Sequence, residues 1–373
     1  MREAFYGGMG AWWLVVVLTF LGSTIMTLIQ TRRRWVAPKG DMPAVSILVP
    51  ITGIDPELVD NLRSILVQDY PSFELLVSFA HDDEAAIPLV RALFAEHPQV
   101  STRLVVGEVK LGKNPKANNL IRSYRAARND YVLMCDANVA LPADGVRRMI
   151  AAFKPGVGLV SAIPVAVRPE NFLGDVECAM FNGYAARWLC AGAMLGIQIA
   201  IGKILFVRKS DLDRAGGIEA TSHNICEDTA MAHAMYSLSL RLANAGAIVS
   251  CPMGRRSFRD FWSRHVRWCR CRRGSTVPVG FIEPFLGMLA ALLSGVAYWH
   301  GLRDVPVVGV VAGTLLGWVS VEAFLFYAQG WPLTRRSVPA WLAWEILLPV
   351  VWLRSLIGRT VSWRDTRMYV KAS

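Results

Sequence analysis

Tyr131-Val-Leu-Met-Cys135 is an apolar run that ends on Asp136, with Asn138 two residues further on. That spacing lets two oxygens face one point. A divalent cation shared with a diphosphate needs only a few protein oxygens, because the phosphates supply others. Asp136 and Asn138 are therefore candidate ligands for Mg²⁺ or Mn²⁺. A plain strand-end aspartate capping a turn is the simpler alternative. A similar junction stands at Phe79-Ala-His81-Asp82-Asp83-Glu84. There Asp83 is placed to hold a base or ribose or to face a metal, or it belongs to a solvated acidic turn.

Lys110-Leu-Gly-Lys113-Asn114-Pro115-Lys116-Ala-Asn118-Asn119 gathers lysines, a glycine and amides where a helix should begin. Backbone N–H groups and the dipole at a helix start favour phosphate. Lys116 and Asn118 are candidates for binding a phosphorylated ligand, unless the loop is merely basic and exposed. In Ile225-Cys-Glu227-Asp228, adjacent carboxylates open a helical pattern. Asp228 is the candidate general base, against the reading that the pair only complements a helix dipole. Arg264 and Arg267 share a helical face three residues apart, followed by Trp268. Two guanidiniums suit a leaving diphosphate, and a tryptophan can close a site. An interfacial helix that meets lipid headgroups would use the same residues.

The elements that must position these groups are legible. Apolar β-rich runs at 44–49 (stopped by Pro50), 73–79, 102–107 and 131–135 alternate with helical spacing at 56–68, 85–96 and 116–128. Alternation of this kind predicts an α/β, mainly parallel, doubly wound sheet. Ligands bind such sheets at the carboxyl ends of the strands, where Pro50, Asp83 and Asp136 all fall.

The chain has 373 residues, 53% of them hydrophobic, and a net charge of +11. The apolar surplus sits at the two ends. Ala11 to Ile29 is about the ~20 residues that span a bilayer, and Arg32, Arg33, Arg34 and Trp35 come directly after it. Charge placed after the run argues for an uncleaved anchor rather than a signal peptide. By the positive-inside rule, the chain from residue 35 onward is cytoplasmic. Phe281 to Trp299 and Val305 to Phe326 are further span candidates. Trp341 to Ile357 carries Glu345, Pro349 and Arg354 and is expected to be broken or re-entrant, which returns the basic tail (Arg359, Arg364, Arg367, Lys371) to the cytoplasm. The predicted organisation is an anchor at 1–34, a cytoplasmic α/β domain at 35–275 and a carboxyl-terminal membrane region at 276–373. Arginines beside apolar spans point to membrane phosphate and not to nucleic acid. Seven scattered cysteines fit a reducing compartment. Richness in Ala, Arg, Val and Gly points to a bacterial inner membrane.

Taken in order, Asp83, Asp136, Asp228 and Arg264-His-Val-Arg267-Trp268 resemble the processive and lipid-directed inverting glycosyltransferases of the GT-A fold. Lys113 to Asn119, His81 to Asp83 and Arg208-Lys-Ser-Asp-Leu-Asp-Arg-Ala215-Gly216-Gly217 resemble, more narrowly, the ceramide glucosyltransferase family. The resemblance implies a GT-A nucleotide-sugar domain with membrane helices at both ends. It implies transfer of a sugar, expected to be glucose, from a UDP-sugar to a ceramide-like lipid hydroxyl. Pro50, Asp83, Lys116 and Asn118 would bind the donor, and Asp136 with Asn138 the metal. Asp228 would be the base, and Arg264, Arg267 and Trp268 would serve the diphosphate and the acceptor entrance. One departure is Ala185-Ala186, where the animal ceramide enzymes carry a histidine before the arginine matching Arg187. Diacylglycerol or a hopanoid is thus an alternative acceptor. A processive polysaccharide synthase is a rival activity, though it needs more spans for a channel. The topology has a direct test. Protease added to sealed, right-side-out cells is expected to leave residues 35–275 intact, and cleavage there would refute the cytoplasmic placement.

Overall fold

The computed structural model describes residues 2–33, 35–36, 42–55, 57–275, 281–358, 360–363 and 366–369. Arg34, Pro56, Arg359, Arg364 and Lys371 lie outside them. The chain divides into two compact units, Thr31–Val165 with Gly192–Pro252, and Met1–Gln30 with Ala166–Ala191 and Met253–Ser373.

The strands β1 (Val45–Ile51), β2 (Phe73–Phe79), β3 (Ser101–Val106), β4 (Tyr131–Cys135), β5 (Val157–Pro169), β6 (Ile204–Arg208) and β7 (Arg241–Gly254) form one sheet in the order β3-β2-β1-β4-β6-β5-β7. β1 runs parallel to β2 and β4, and β2 parallel to β3. β6 is antiparallel to both β4 and β5. The mainly parallel α/β sheet expected from the alternation is present. Strands covered on both faces must be apolar throughout, and Val45, Ile47, Leu48 and Val49 of β1 are fully buried. Leu120, Ile121 and Tyr124 of the helix Pro115–Ala126 and Met231 and Met235 of the helix Glu227–Ser237 pack with Leu48, Leu76, Val132, Met134 and Leu205 of the sheet. That packing fixes the amino ends of both helices, where the candidate chemistry lies.

In the other unit the amino-terminal run is one helix, Arg2–Arg32. It and the helix Val307–Gln329 are long and apolar enough to cross a membrane. Phe20 stacks on Trp318 with ring centroids 3.7 Å apart. Phe281 to Trp299, expected as a span, instead folds in shorter pieces: a 3₁₀ turn at Glu283–Phe285, a helix Met288–Gly295 and a π-turn Val296–His300. Pro284 and the extended Gly287 interrupt it. The segment Trp341 to Ile357, expected to be broken or re-entrant, is not broken: it lies almost wholly in one continuous helix, Ser337–Leu356. Proline removes a single N–H from the helical ladder, and the apolar helix around it continues past that gap. None of the seven cysteines forms a disulfide.

The short helix Phe172–Cys178 is an ionic anchor of this unit. Asp175 pairs with Arg336 at 2.6 Å and accepts a hydrogen bond from the Thr334 hydroxyl at 2.9 Å. Glu177, fully buried, pairs with Arg256 at 2.8 Å and with Arg264 at 2.8 and 3.0 Å. Burial alone would raise the Glu177 pKa, but His265, Arg264 and Arg256 outweigh it and hold the carboxyl at about 2 instead of 4.5. A depressed acid stabilises the fold above its ordinary value, and that contribution is lost as pH falls from 4.5 towards 2. Glu177→Gln keeps the shape but strands two guanidiniums. It is expected to cost about 3–5 kcal/mol of stability, read as a lower denaturation midpoint of the solubilised protein at neutral pH. An unchanged midpoint would show that the cluster is energetically neutral.

Candidate active site

A cluster of lysines and carboxylates forms at the carboxyl end of β4. Three segments of the sheet unit deliver it. Asn114 caps the helix Pro115–Ala126 by accepting from the Ala117 N–H at 3.1 Å, which sets Lys116 in the first turn. Pairing of Cys135 with Ile204 puts the start of β6 beside the end of β4, and the Asp136 N–H donates to the Lys203 carbonyl at 3.0 Å. The helix Glu227–Ser237 supplies Glu227 and Asp228.

The Lys116 ammonium lies 2.7 Å from Asp136 Oδ1 and 2.8 Å from Glu227 Oε1, and also donates to the Gly202 carbonyl. Lys203 Nζ lies 3.0 Å from Asp136 Oδ2 and 2.7 Å from Asn138 Oδ1. Glu227 Oε2 accepts from Asn114 Nδ2 at 3.1 Å. Asp228 accepts from the backbone N–H of Gly202 at 3.0 Å and of Thr229 at 2.7 Å. A Cβ at position 202 would sit 3.0 Å from Glu227 Oε1 and 3.3 Å from Asp228 Oδ2, so glycine admits this close approach.

Electrostatics separate the two aspartates. Burial would raise the Asp136 pKa, but the charges and hydrogen bonds of Lys116 and Lys203 hold it at about 2. Burial and then the adjacent Glu227 push Asp228 up to about 6, against the Thr229 and Gly202 N–H groups and Lys116. Asp136 is thus the stronger acid of the two, and Asp228 the weaker one, nearer the range in which a carboxylate can take up a proton.

The structure brings Lys116, Asp136, Asn138 and Asp228 together. Asn118 lies one step back, bonded both ways to Gly112 (Nδ2 to the carbonyl at 2.9 Å, Oδ1 from the N–H at 3.2 Å). It thereby closes the basic loop. Any side chain at position 112 would collide with the Ser222 carbonyl, 2.0 Å from an added Cβ. Pro50 sits in β1 opposite Ser78, and Asp83 is exposed in the turn after β2. Arg264, Arg267 and Trp268 belong to the helix Phe258–Ser275 of the other unit. There Arg264 is held by Glu177, and Trp268 packs edge-on against Phe181 and His265. Two members of the cluster are not among the candidate site residues of the sequence: Lys203, which carries no motif, and Glu227, which enters only as the other half of the acidic pair with Asp228. A lone lysine between Gly202 and a buried strand is the available signal for the first, and its position beside Asp228 for the second.

Among the described residues no three His, Cys, Asp or Glu side chains gather as a ready metal cage. The donor set still suits a cation that takes most of its oxygens from a bound diphosphate. Asp136 Oδ2 and Asn138 Oδ1 converge on one cationic position, marked by the Lys203 ammonium seated between them.

A sheet of this order, with its charged cluster at the strand ends, is a fold of the GT-A type. Residues 12–373 match the family described as Glycosyl transferase family 21, and the chain belongs to that family. It is 27% identical over 341 residues to ceramide glucosyltransferase 1 of Caenorhabditis elegans, covering 89% of this chain and 72% of the relative. It is 23% identical to the ceramide glucosyltransferase of Gibberella zeae, covering 95% of this chain and 90% of that one. Among solved structures it resembles the mannosyltransferase PcManGT from Pyrobaculum calidifontis, in complex with GDP-Man and Mn²⁺ (TM-score 0.50, 17% identity, 94% of this chain and 99% of that chain). That likeness shows the shared fold.

Lys116 is 9% exposed and faces two carboxylates. Lys116→Met leaves both without this ammonium and is expected to cost on the order of 3 kcal/mol of stability. Thermal unfolding checks this, and a midpoint equal to that of wild type would show that Lys116 contributes nothing to the fold.

Proposed function

We propose that this protein is a membrane-embedded inverting glycosyltransferase that moves glucose from UDP-glucose to the hydroxyl of a ceramide-like lipid. The observation that carries the reading is the gathering of Asp136, Glu227 and Asp228 with Lys116 and Lys203 in one lysine-bridged cluster at the carboxyl edge of the sheet. The ceramide glucosyltransferase relatives support the lipid acceptor, and the two long apolar helices support a place in the membrane. The catalytic unit would face the cytoplasm between an anchor at 1–34 and the membrane region at 276–373.

In this reading Asp228 accepts the proton of the lipid hydroxyl as it attacks the anomeric carbon. Its two backbone hydrogen bonds fix the carboxylate while leaving lone pairs free for the substrate. Lys116 orients Asp136 and offers positive charge to the donor's phosphates. Pro50, Asp83 and Asn118 shape the nucleotide end. Arg264, Arg267 and Trp268 serve the leaving diphosphate and the acceptor entrance. Asp136 and Asn138 would hold Mg²⁺ or Mn²⁺, which stabilises the negative charge that develops on the departing UDP.

Mass spectrometry of lipid extracts from cells with and without the protein tests the reaction. A hexose added to ceramide is expected. A shift on diacylglycerol or a hopanoid would correct the acceptor, and no glycolipid at all would refute the reading.

The two aspartates should fail in different ways. Asp136→Asn is expected to weaken Mn²⁺ and UDP binding together. Asp228→Asn is expected to keep UDP binding while turnover falls roughly 10²–10⁴-fold. A base must be ionised to act, so wild-type turnover should fall as pH drops through about 6, and the Asp228→Asn variant should lose that limb. Calorimetric UDP affinity beside initial rates across pH measures all of this. Loss of UDP binding in Asp228→Asn would overturn the assignment.

A further inference from the structure

Lys203 occupies the position that the cation needs. Its ammonium touches Asp136 Oδ2 at 3.0 Å and Asn138 Oδ1 at 2.7 Å, and these two side chains are the proposed metal ligands. The other Asp136 oxygen is taken by Lys116. Lys203 is held at this point by the backbone, because its carbonyl accepts from the Asp136 N–H and Ile204 pairs with Cys135. Its side chain is 16% exposed, so the ammonium on these oxygens is largely shielded from solvent. An ammonium seated between these two oxygens fills the position from which a divalent cation would bridge them, and the two positive charges repel each other at that spacing.

We propose that Lys203 is a resident counter-ion that excludes the divalent cation until the donor's diphosphate arrives. The inference rests on the metal reading of Asp136 and Asn138. Two ammoniums face three carboxylates in this cluster (Asp136, Glu227 and Asp228), leaving it one negative charge. A cation entering alone makes the cluster net positive and strands the Lys203 charge without an anion. A cation entering with a diphosphate brings its own counter-charge and offers the displaced ammonium phosphate oxygens in exchange. Metal affinity in the absence of nucleotide is therefore weak, and UDP raises it. By linkage the metal raises UDP affinity by the same factor. A lysine that merely neutralised Asp136 would leave only the coupling that the diphosphate's own contact with the cation gives.

The test uses the full-length protein in detergent, with bound Mn²⁺ followed by electron paramagnetic resonance with and without saturating UDP. Wild type is expected to bind Mn²⁺ about tenfold or more tightly with UDP than without it. Lys203→Met is expected to bind Mn²⁺ without UDP about tenfold more tightly than wild type does, and so to show a UDP effect smaller by about that factor, keeping the part that the diphosphate's own contact with the cation supplies. Lys203→Arg keeps the charge and should keep the coupling. Should the methionine variant fail to fold, Lys203→Gln removes the charge while still donating a hydrogen bond to Asn138, and is expected to bind Mn²⁺ in the same way. The proposal is overturned if the neutral variants bind Mn²⁺ no more tightly than wild type, or keep the full UDP effect. If wild type binds Mn²⁺ neither alone nor with UDP, the metal reading itself fails and this inference goes with it. If wild type binds Mn²⁺ with UDP but the neutral variants show no gain, the role of Lys203 alone is refuted.

Discussion

A single buried ammonium, that of Lys116, joins parts of the chain that are far apart in sequence. It meets Asp136 at the end of β4, Glu227 at the start of a helix and the carbonyl of Gly202 ahead of β6. Each of these groups carries charge or a strong dipole and none is fully solvated. The desolvation of each is tolerable only because the others are present. The cluster therefore forms as a unit, and it ties the strand ends to the helix starts where chemistry at this type of sheet is done.

Ordinary local structure delivers Lys116 to that point. An asparagine cap starts its helix, and Asn118 folds the preceding loop back on itself. Leu120, Ile121 and Tyr124 press the helix onto the sheet. The same hydrophobic cluster seats the helix bearing Glu227 and Asp228 through Met231 and Met235. The apolar core thus sets the separation of the charged groups, and the charged groups set their own orientation. The unlike acidity of Asp136 and Asp228 is a consequence of this arrangement. Two lysines face the first, while a neighbouring carboxylate and burial dominate the second.

The unit that holds the two long apolar helices repeats the logic with arginines. Asp175 and Glu177, on one short helix, engage Arg336, Arg256 and Arg264. Arg187 pairs with Glu322 of the helix Val307–Gln329 at 2.9 Å and lies over the ring of Phe20. A charged side chain within an apolar helix is expected to have a partner of this kind. The charge-rich helix Phe258–Ser275 is in this way part of a network, with Arg272 paired to Glu283 as well.

From the sequence alone, the periodicity of β1 to β4 and their helices, the long apolar end segments, and the placement of Asp136, Asn138, Lys116 and Asp228 at element ends were all legible. Local pattern is enough for these, since a strand end or helix start is set by the residues beside it. The continuous helix around Pro349 was not legible, because one missing N–H can be absorbed by packing that a linear reading does not contain. Nor was the role of Lys203, which stands alone before an apolar strand. It reaches Asp136 and Asn138 only because β6 runs antiparallel to β4, so that its first residue lies beside the last residue of β4. Strand direction is a property of the closed sheet. No local pattern of side chains encodes it, so residue types and the elements that carry them belong to the sequence, while the pairing of charges across those elements was decided by the tertiary fold.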